Sequence, residues 1–575
     1  MQTKLIDWPT FIGSLILVLG VTIPLMLFPE AGKKAVDLAN TFMTENFGVL
    51  YLLMGLLTFA FLLFVAFSKN GQIKLGNKGE QTEFGTFSWA AMLFAAGIGS
   101  SILYWGMIEW AYYYQGPPFG ITPKSNEAIQ WASSYGIFHW GPIAWAIYTL
   151  PALPIAYFYY VRKKPVLKIS ESVRPVLGKL VDGPLGILID VLFIFGLMGG
   201  AGTTLALGTP MIAEGVHDLT GIPITLGLKT VIMLVCTLIF AISAYSGLSR
   251  GIKLLSDVNL WLAIFVLLFI FLFGPTLFIS QTSFSSIGLI TDNFFRMATW
   301  LEPFGNLAGF NETGFPESWT IFYWAWWLVY APFVGLFVAR ISRGRTIKQM
   351  ILGTMIYGTI GCILFFGIMG NFGLYLQLTG SFDVIGFMNE NGAPAAIIAI
   401  LHQLPLSNMI VAVFTILAII FLATTFDSSS YILASVTQTE VRGEPLRWNR
   451  LFWAFTLCVL PLALMYLGDL ETLQTASIVA GFPIIFIMLL LAWSFMKASN
   501  QDIRASDTYQ APTIHIGEKG KGRRSALEAL EDKGKRIKLK KELFGSFPNS
   551  SFSFIYSVLS QLPARLHGAS SQVYA

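Results

Sequence analysis

Charge is what this sequence has least of. Of its 575 residues only 12% are Asp, Glu, Lys or Arg, about half the share of a soluble globular protein. That share cannot cover a water-facing surface of this size. Cysteine is nearly absent: Cys236, Cys362 and Cys458 stand alone in apolar runs, with no metal spacing, and read as small buried hydrophobes. The five histidines (His139, His217, His402, His515 and His567) are dispersed. No phosphate loop or nucleophile elbow occurs. These absences argue against an enzyme and leave no organic cofactor or resident metal to expect. The net charge is +5, but 13 basic and 7 acidic residues from Lys497 onward put +6 on the tail and about −1 on the rest. The basic character therefore belongs to the tail, not to a nucleic-acid-binding face.

What is abundant is apolar: 55% hydrophobic and 15% aromatic residues, with a mean hydropathy of +0.65. A helix needs roughly 20 apolar residues to cross the hydrocarbon. Twelve such runs are legible, at about 10–28, 49–67, 86–108, 133–160, 184–213, 228–248, 254–279, 318–340, 347–371, 407–426, 449–468 and 476–496. The pattern predicts an all-α polytopic membrane protein with 12 transmembrane helices, the third to fifth interrupted by polar or glycine-rich patches. MQTKLIDWPT has one Lys and no small-residue cleavage site after it, so it reads as a retained first helix. The aromatic connector 280–317 is expected to hold an interfacial amphipathic helix. Alternate loops carry 17 and 5 basic residues, which places both termini in the cytoplasm. In the tail, 516–545 reads as a basic, partly helical segment for an anionic membrane surface, or as a solvated charged tail. Residues 546–575 read as disordered.

Function is sought where spans tolerate what lipid does not. The third span carries Gly97, Gly99, Ser100 and Ser101 at mid-depth. They point either to a break that frees backbone carbonyls beside protein or water, or to close helix packing. Beyond them Trp105, Glu109 and Tyr112 share one helical face. Glu109 is open to three roles: a cation-attracting gate, a proton site or a structural hydrogen-bond partner. The eighth span presents Tyr323, Trp326, Trp327 and Tyr330 as one stripe ahead of a Pro332–Gly335 break. The fourth adds Trp140, Trp145 and Tyr148. One such stripe is usually core or an interfacial belt, but three sets at mid-depth favour a cage.

A quaternary ammonium has no N–H to donate, so carboxylates and carbonyls gain little over water. Aromatic faces attract it by about 0.5–2 kcal/mol each when desolvated. A zwitterion's carboxylate would meet amides freed at helix breaks. An ion channel would instead favour rings of charge or carbonyls along an open pore. The tenth span is read as ending in Ala423–Ser430, where Thr424 and Thr425, with carbonyls of the 97–101 break, offer oxygen ligands for sodium. The alternative is a hydroxyl-rich helix end capped by Asp427. Thr203 and Thr204 are a weaker second pair. His139, beside Trp140, is a hydrogen-bonded core residue or a proton carrier. Ser88-Trp89 and Ser318-Trp319 open two blocks of five spans, each with an interrupted first helix, the pattern of inverted-repeat transporters.

FYWAWW (Phe322 to Trp327), continuing through Pro332-Phe333-Val334-Gly335 to ARISRGRT (Ala339 to Thr346), together with FHWG at 138–141 and the glycine break before Trp105, resembles the betaine/choline/carnitine transporters. The likeness covers about residues 10–496. It implies two leading helices plus a five-plus-five inverted repeat, a homotrimer in the inner (plasma) membrane, and secondary transport of quaternary ammonium zwitterions by alternating access. The expected organisation is a cytoplasmic N-terminus (1–9), two leading helices (10–85), a first repeat (86–279), the connector (280–317), a second repeat (318–496) and the tail (497–575). For some members the resemblance implies that a basic tail docks on anionic lipid and tunes activity with osmotic strength.

By position, the resemblance places the central cage on Trp326, Trp327 and Tyr330. Trp105 and Tyr112 resemble further substrate aromatics, and Trp140, Trp145 and Tyr148 outer or central cage members. IEWAYYYQGPPFG (108–120) and Tyr330 are similar to the sodium-independent carnitine/γ-butyrobetaine exchangers. Yet the exchangers' arginine falls on Asn259 and their methionine on Val334, whereas Thr424, Thr425 and Asp427 resemble the sodium-coupled symporters. The third glycine of the symporters' Gly-x-Gly-x-Gly is here Ser101. The expectation is a sodium-coupled symporter, with Gly97, Ile98, Phe333, Thr424 and Thr425 as candidate ion ligands and Glu109, Asp427 and Asn259 in gating or structural roles. The alternative is a sodium-independent exchanger. Glycine betaine, carnitine, γ-butyrobetaine and choline differ only beyond the shared headgroup.

Overall fold

The computed structural model describes residues 5–506 apart from 78, 98, 165–167, 247, 308, 310–311, 442–443 and 468–469. Of 94–97, 240, 243–246, 248–256, 428, 464–467, 470–473 and 476 it describes the backbone alone. The chain divides into two units, Met1–Arg504 and Ala505–Ala575. Ile98 and the tail segments 516–545 and 546–575 lie outside the described residues.

Among the described residues the regular structure is helical, and β-pairing is confined to two isolated bridges. Two long helices lead, α1 (Trp8–Leu27) and α2 (Pro29–Phe67). The third apolar run is shared by α3 (Thr86–Gly97) and α4 (Ser101–Gln115), and the fourth by α5 (Asn126–His139) and α6 (Pro142–Ala156). Two short helices, α7 (Ile169–Ser172) and α8 (Arg174–Leu177), precede α9 (Pro184–Thr220). Next come α10 (Leu226–Ser246), α11 (Leu248–Phe273) and α12 (Thr276–Thr299), then α13 (Phe322–Ile341) and α14 (Ile347–Phe365). The short α15 (Asn371–Thr379), α16 (Val384–Asn391) and α17 (Ala393–Leu401) lead to α18 (Ser407–Val436). The chain continues through α19 (Arg447–Thr456), α20 (Val459–Leu467) and α21 (Leu470–Ala505).

Every one of the twelve runs lies on one of these helices or on a pair. By length and apolar composition, eight described segments qualify to cross a membrane, or nine if Asp257–Phe273 and Thr276–Thr299, bent by 110°, form one span. The difference from twelve lies largely in runs that break: α3, α4, α19 and α20 have 12, 15, 10 and 9 residues, each too short alone.

Local chemistry explains the fourth-run break. Pro142 takes the first helical position of α6 behind Gly141, where its fixed φ suits a helix start and its missing N–H costs nothing. Two expected interruptions and one expected helix end are not seen. α9 runs unbroken through Gly199–Thr204, and its glycines serve close approach instead: a Cβ on Gly200 would stand 2.7 Å from the Tyr330 ring. α13 continues through Pro332 and Gly335. A Cβ on Gly335 would meet the Ala152 amide nitrogen at 2.9 Å, so that glycine lets α13 close on α6. α18 continues ten residues past 426 to Val436, which puts Asp427 in mid-helix rather than at a cap. The helix of the connector begins at Thr276, before residue 280.

α6 and α13 form the centre. In the segments containing them, 94% of the most apolar window is buried, against 33% for α1. Large apolar side chains face outward on the periphery, among them Ile16, Leu27, Leu238, Trp261 and Phe284.

Candidate functional site

A π-helical turn, Pro316–Ile321, feeds directly into α13, and the aromatic stripe starts there. Trp326 and Trp327 are stacked, with ring centroids 5.1 Å apart and planes 14° from parallel. Both indoles are tethered to other helices. Trp327 Nε1–H donates to the His139 carbonyl at 2.9 Å, an acceptor at the α5 terminus, where helix carbonyls lack intrahelical donors. Trp326 Nε1–H donates to the Gly200 carbonyl of α9 at 3.4 Å. The Tyr330 hydroxyl shares a 2.9 Å hydrogen bond with Thr204 Oγ1.

Trp140, in the link between α5 and α6, meets this stack edge-on, 4.7 Å from Trp327 and 5.9 Å from Trp326. Tyr148 adds an edge contact to Trp327 at 5.4 Å. Five of the predicted aromatics therefore converge: Trp140, Tyr148, Trp326, Trp327 and Tyr330. Trp145 has ring contact with Tyr148 alone of this group, at 5.6 Å. Its indole is seated on α14, where a Cβ on Gly358 would come within 2.1 Å of it. Trp105 and Tyr112, 6.1 Å apart, form a neighbouring cluster with Trp319. Tyr323 joins the two clusters, 6.2 Å from Trp105 and 5.6 Å from Trp327. Its position in the stripe is legible in the sequence. Its linking role is not, because Trp105 comes from a distant helix.

Glu109 is fully buried beneath these rings. Its carboxylate accepts hydrogen bonds from the Tyr113 hydroxyl and, at 2.5 Å, from the Tyr323 hydroxyl. His139 Nδ1 lies 2.9 Å from Tyr113 Oη and 4.0 Å from the carboxylate, and its Nε2 lies 3.1 Å from Thr320 Oγ1. The group ties α4, α5 and the start of α13 together. It also fixes the residue whose carbonyl holds Trp327.

The hydroxyl pair separates. Successive helical residues point about 100° apart: Thr424 turns toward α11, where Asn259 Nδ2–H donates to its Oγ1 at 3.2 Å. Thr425 faces the break, and a Cβ on Gly99 would meet its Oγ1 at 2.8 Å. Both threonines donate to the Phe421 carbonyl of their own helix, at 2.8 and 3.0 Å. Thr203 bonds Ser477, whereas Thr204 lies between Gly99 and Tyr330. The Ser100 and Ser101 hydroxyls at the break are buried and meet no protein partner among the described residues. As ligands they are not legible in the sequence, where they read only as part of the break; the signal is their burial, since buried polar groups are normally satisfied. Gly97 is described by its backbone only and ends α3. Phe333 lies one turn beyond Tyr330, ring centroids 5.8 Å apart. Pro332 lacks an N–H, so the Leu328 carbonyl has no i+4 donor. Asp427 forms a buried ion pair with Arg450 that joins α18 to α19.

A model of the betaine/carnitine/choline family of transporters matches residues 9–504. The chain belongs to this family. It is 35% identical over 479 residues to a carnitine transporter of Acinetobacter baumannii, covering 82% of this chain and 85% of that one. It is 36% identical over 480 residues to the glycine betaine transporter OpuD of Bacillus subtilis, covering 83% and 92%. Among solved structures, a sodium-coupled sialic acid symporter in a substrate-bound outward-open state aligns over 81% of this chain and 84% of its own. At 15% identity and a TM-score of 0.38, that likeness carries no argument. The protein is thus a multi-pass membrane transporter of the betaine/carnitine type, not an enzyme.

Proposed function

We propose that this family member carries a quaternary ammonium zwitterion by sodium-coupled symport through alternating access. The observation that carries the reading is the Trp326–Trp327 stack with Trp140 and Tyr148 edge-on to it. The headgroup binds against these rings and Tyr330, with Trp105 and Tyr112 lining its approach. Three or four rings at about 0.5–2 kcal/mol each offset much of its dehydration. Sodium sits at the break beside Gly99, with Thr425, Ser100 and Ser101 as side-chain oxygens and Gly97, Ile98 and Phe333 as backbone candidates. The protein works as a homotrimer of two leading helices plus a five-plus-five repeat, with the α12 helix at the membrane interface. Both termini and the basic loops face the cytoplasm of the cell whose inner membrane it occupies, and the tail reads anionic lipid.

A second reading, sodium-independent exchange, rests on IEWAYYYQGPPFG (108–120) and Tyr330, which are similar to the exchangers, although the neutral Asn259, which donates to Thr424, stands where they carry arginine. Uptake of labelled glycine betaine and carnitine into proteoliposomes separates the two. Accumulation in empty vesicles only under an inward sodium gradient is the expected result. Sodium-indifferent uptake that requires internal solute would establish exchange and return Thr425 to a structural role.

A further inference from the structure

The same two helices that carry the rings also line a separate cavity of about 190 Å³ at their basic-loop end, bordered by Glu83, Tyr159, Tyr160, Arg340 and Arg343. At roughly 30 Å³ per water it has room for a small solute. Ile155 and Leu336 close its inner side. They lie seven residues beyond Tyr148 on α6 and six beyond Tyr330 on α13, about 10 Å along the helices. The cavity thus lies on the same two helices as the rings, beyond the level at which α13 closes on α6 at Gly335.

Its charges are of both signs and are held in place. Arg340 donates to the Tyr431 hydroxyl and lies 5.5 Å from that ring, while the Tyr160 hydroxyl donates to the Arg340 carbonyl at 2.8 Å. Arg343 Nε–H donates to Glu80 at 2.6 Å. The Asn77 amide and the Arg343 guanidinium hold the Glu80 carboxyl below the usual carboxylate range, so this tether stays ionised at neutral pH. Each guanidinium has five N–H groups, and these tethers leave several for a ligand. Glu83 is exposed, and Tyr159 is 42% exposed. A simple anion would meet Glu83 and a simple cation would meet two arginines. A solute that carries both charges finds a complement for each, with Glu83 beside Arg343, whose carbonyl accepts from the Glu83 N–H at 3.3 Å.

We infer that this cavity is a second station for the transported zwitterion, which places its carboxylate on Arg340 and Arg343 and its cationic end toward Glu83, Tyr159 and Tyr160. The inference rests on the zwitterion reading of the substrate given above. The test uses the full chain in oriented proteoliposomes, with glycine betaine or carnitine varied on one side at a time. Arg343→Gln and Glu83→Gln should each raise the half-saturation concentration on the cavity face roughly five- to tenfold and leave that on the opposite face unchanged. Arg343→Lys, which keeps the charge and checks folding, should stay near wild type. Equal changes on both faces, or none on either, would overturn the station while leaving the ring site intact. Failure of the wild type to carry either solute would overturn the substrate reading, and the station with it.

Discussion

The aromatic layer and the hydroxyl layer meet at Tyr330, whose ring belongs to one and whose hydroxyl reaches the other. They are built by opposite rules. The Trp326 and Trp327 indoles direct their N–H groups to carbonyls on other helices, so their planes are set by packing across three helices. The α18 threonines are satisfied by a carbonyl of their own helix. Those bonds use the hydroxyl hydrogens and leave lone pairs on the oxygens, so Thr425, whose oxygen faces Gly99, can meet an ion without giving up its own bond, whereas Thr424 accepts from Asn259. The contrast predicts that substrate recognition depends on packing across helices and ion recognition on the direction in which one helix turns each hydroxyl.

The largest effect should come from neither layer. Arg450→Met removes the guanidinium from the buried Asp427–Arg450 pair, which should cost about 3–5 kcal/mol and show as a marked fall in Tm. An unchanged Tm would mean that the pair does not pin α18. Within the aromatic layer, Trp327→Leu removes a stacked face and the bond to His139, and should weaken solute binding by roughly 30-fold or more with Tm nearly unchanged. Unaltered affinity would break the comparison, because the layer would then be plain core. Gly200→Ala pushes on the Tyr330 ring from α9 and should raise the half-saturation constant severalfold. The smallest effects sharpen the other side. Thr425→Ala should shift the sodium dependence of uptake about threefold to tenfold, and Thr424→Ala, turned toward Asn259, should shift it less. Equal shifts would return the two threonines to one site.

Large rings at helical spacing are legible in a sequence because their period and size survive any plausible packing. For this reason Trp326, Trp327 and Tyr330 come together as their spacing implies. Trp145 shares the fourth run with Trp140, yet it leaves the cluster for the gap over Gly358, and no local pattern on α6 reports a glycine on α14. Adjacent threonines look like a chelating pair in a string of letters, but the helix sends Thr424 and Thr425 to different neighbours. Pro332 with Gly335 carries the local signal of a break. Burial of α13 against α6 overrides that signal and turns the glycine into a point of close approach. Glu109 lies past its apolar run, so its burial depends on Tyr113, Tyr323 and His139 from three different helices. Pairwise chemistry across elements is the part that a linear reading leaves open.

The central claim is that the rings recognise a positive charge and not merely an apolar end. The most direct measurement is binding of glycine betaine to the purified protein beside its neutral isostere, 3,3-dimethylbutyrate, in which a tert-butyl group replaces the trimethylammonium. Cation–π attraction from several rings predicts that the isostere binds at least about 30-fold more weakly, with most of that gap lost in Trp327→Leu. Equal affinities would contradict the account, since the pocket would then be selecting shape alone.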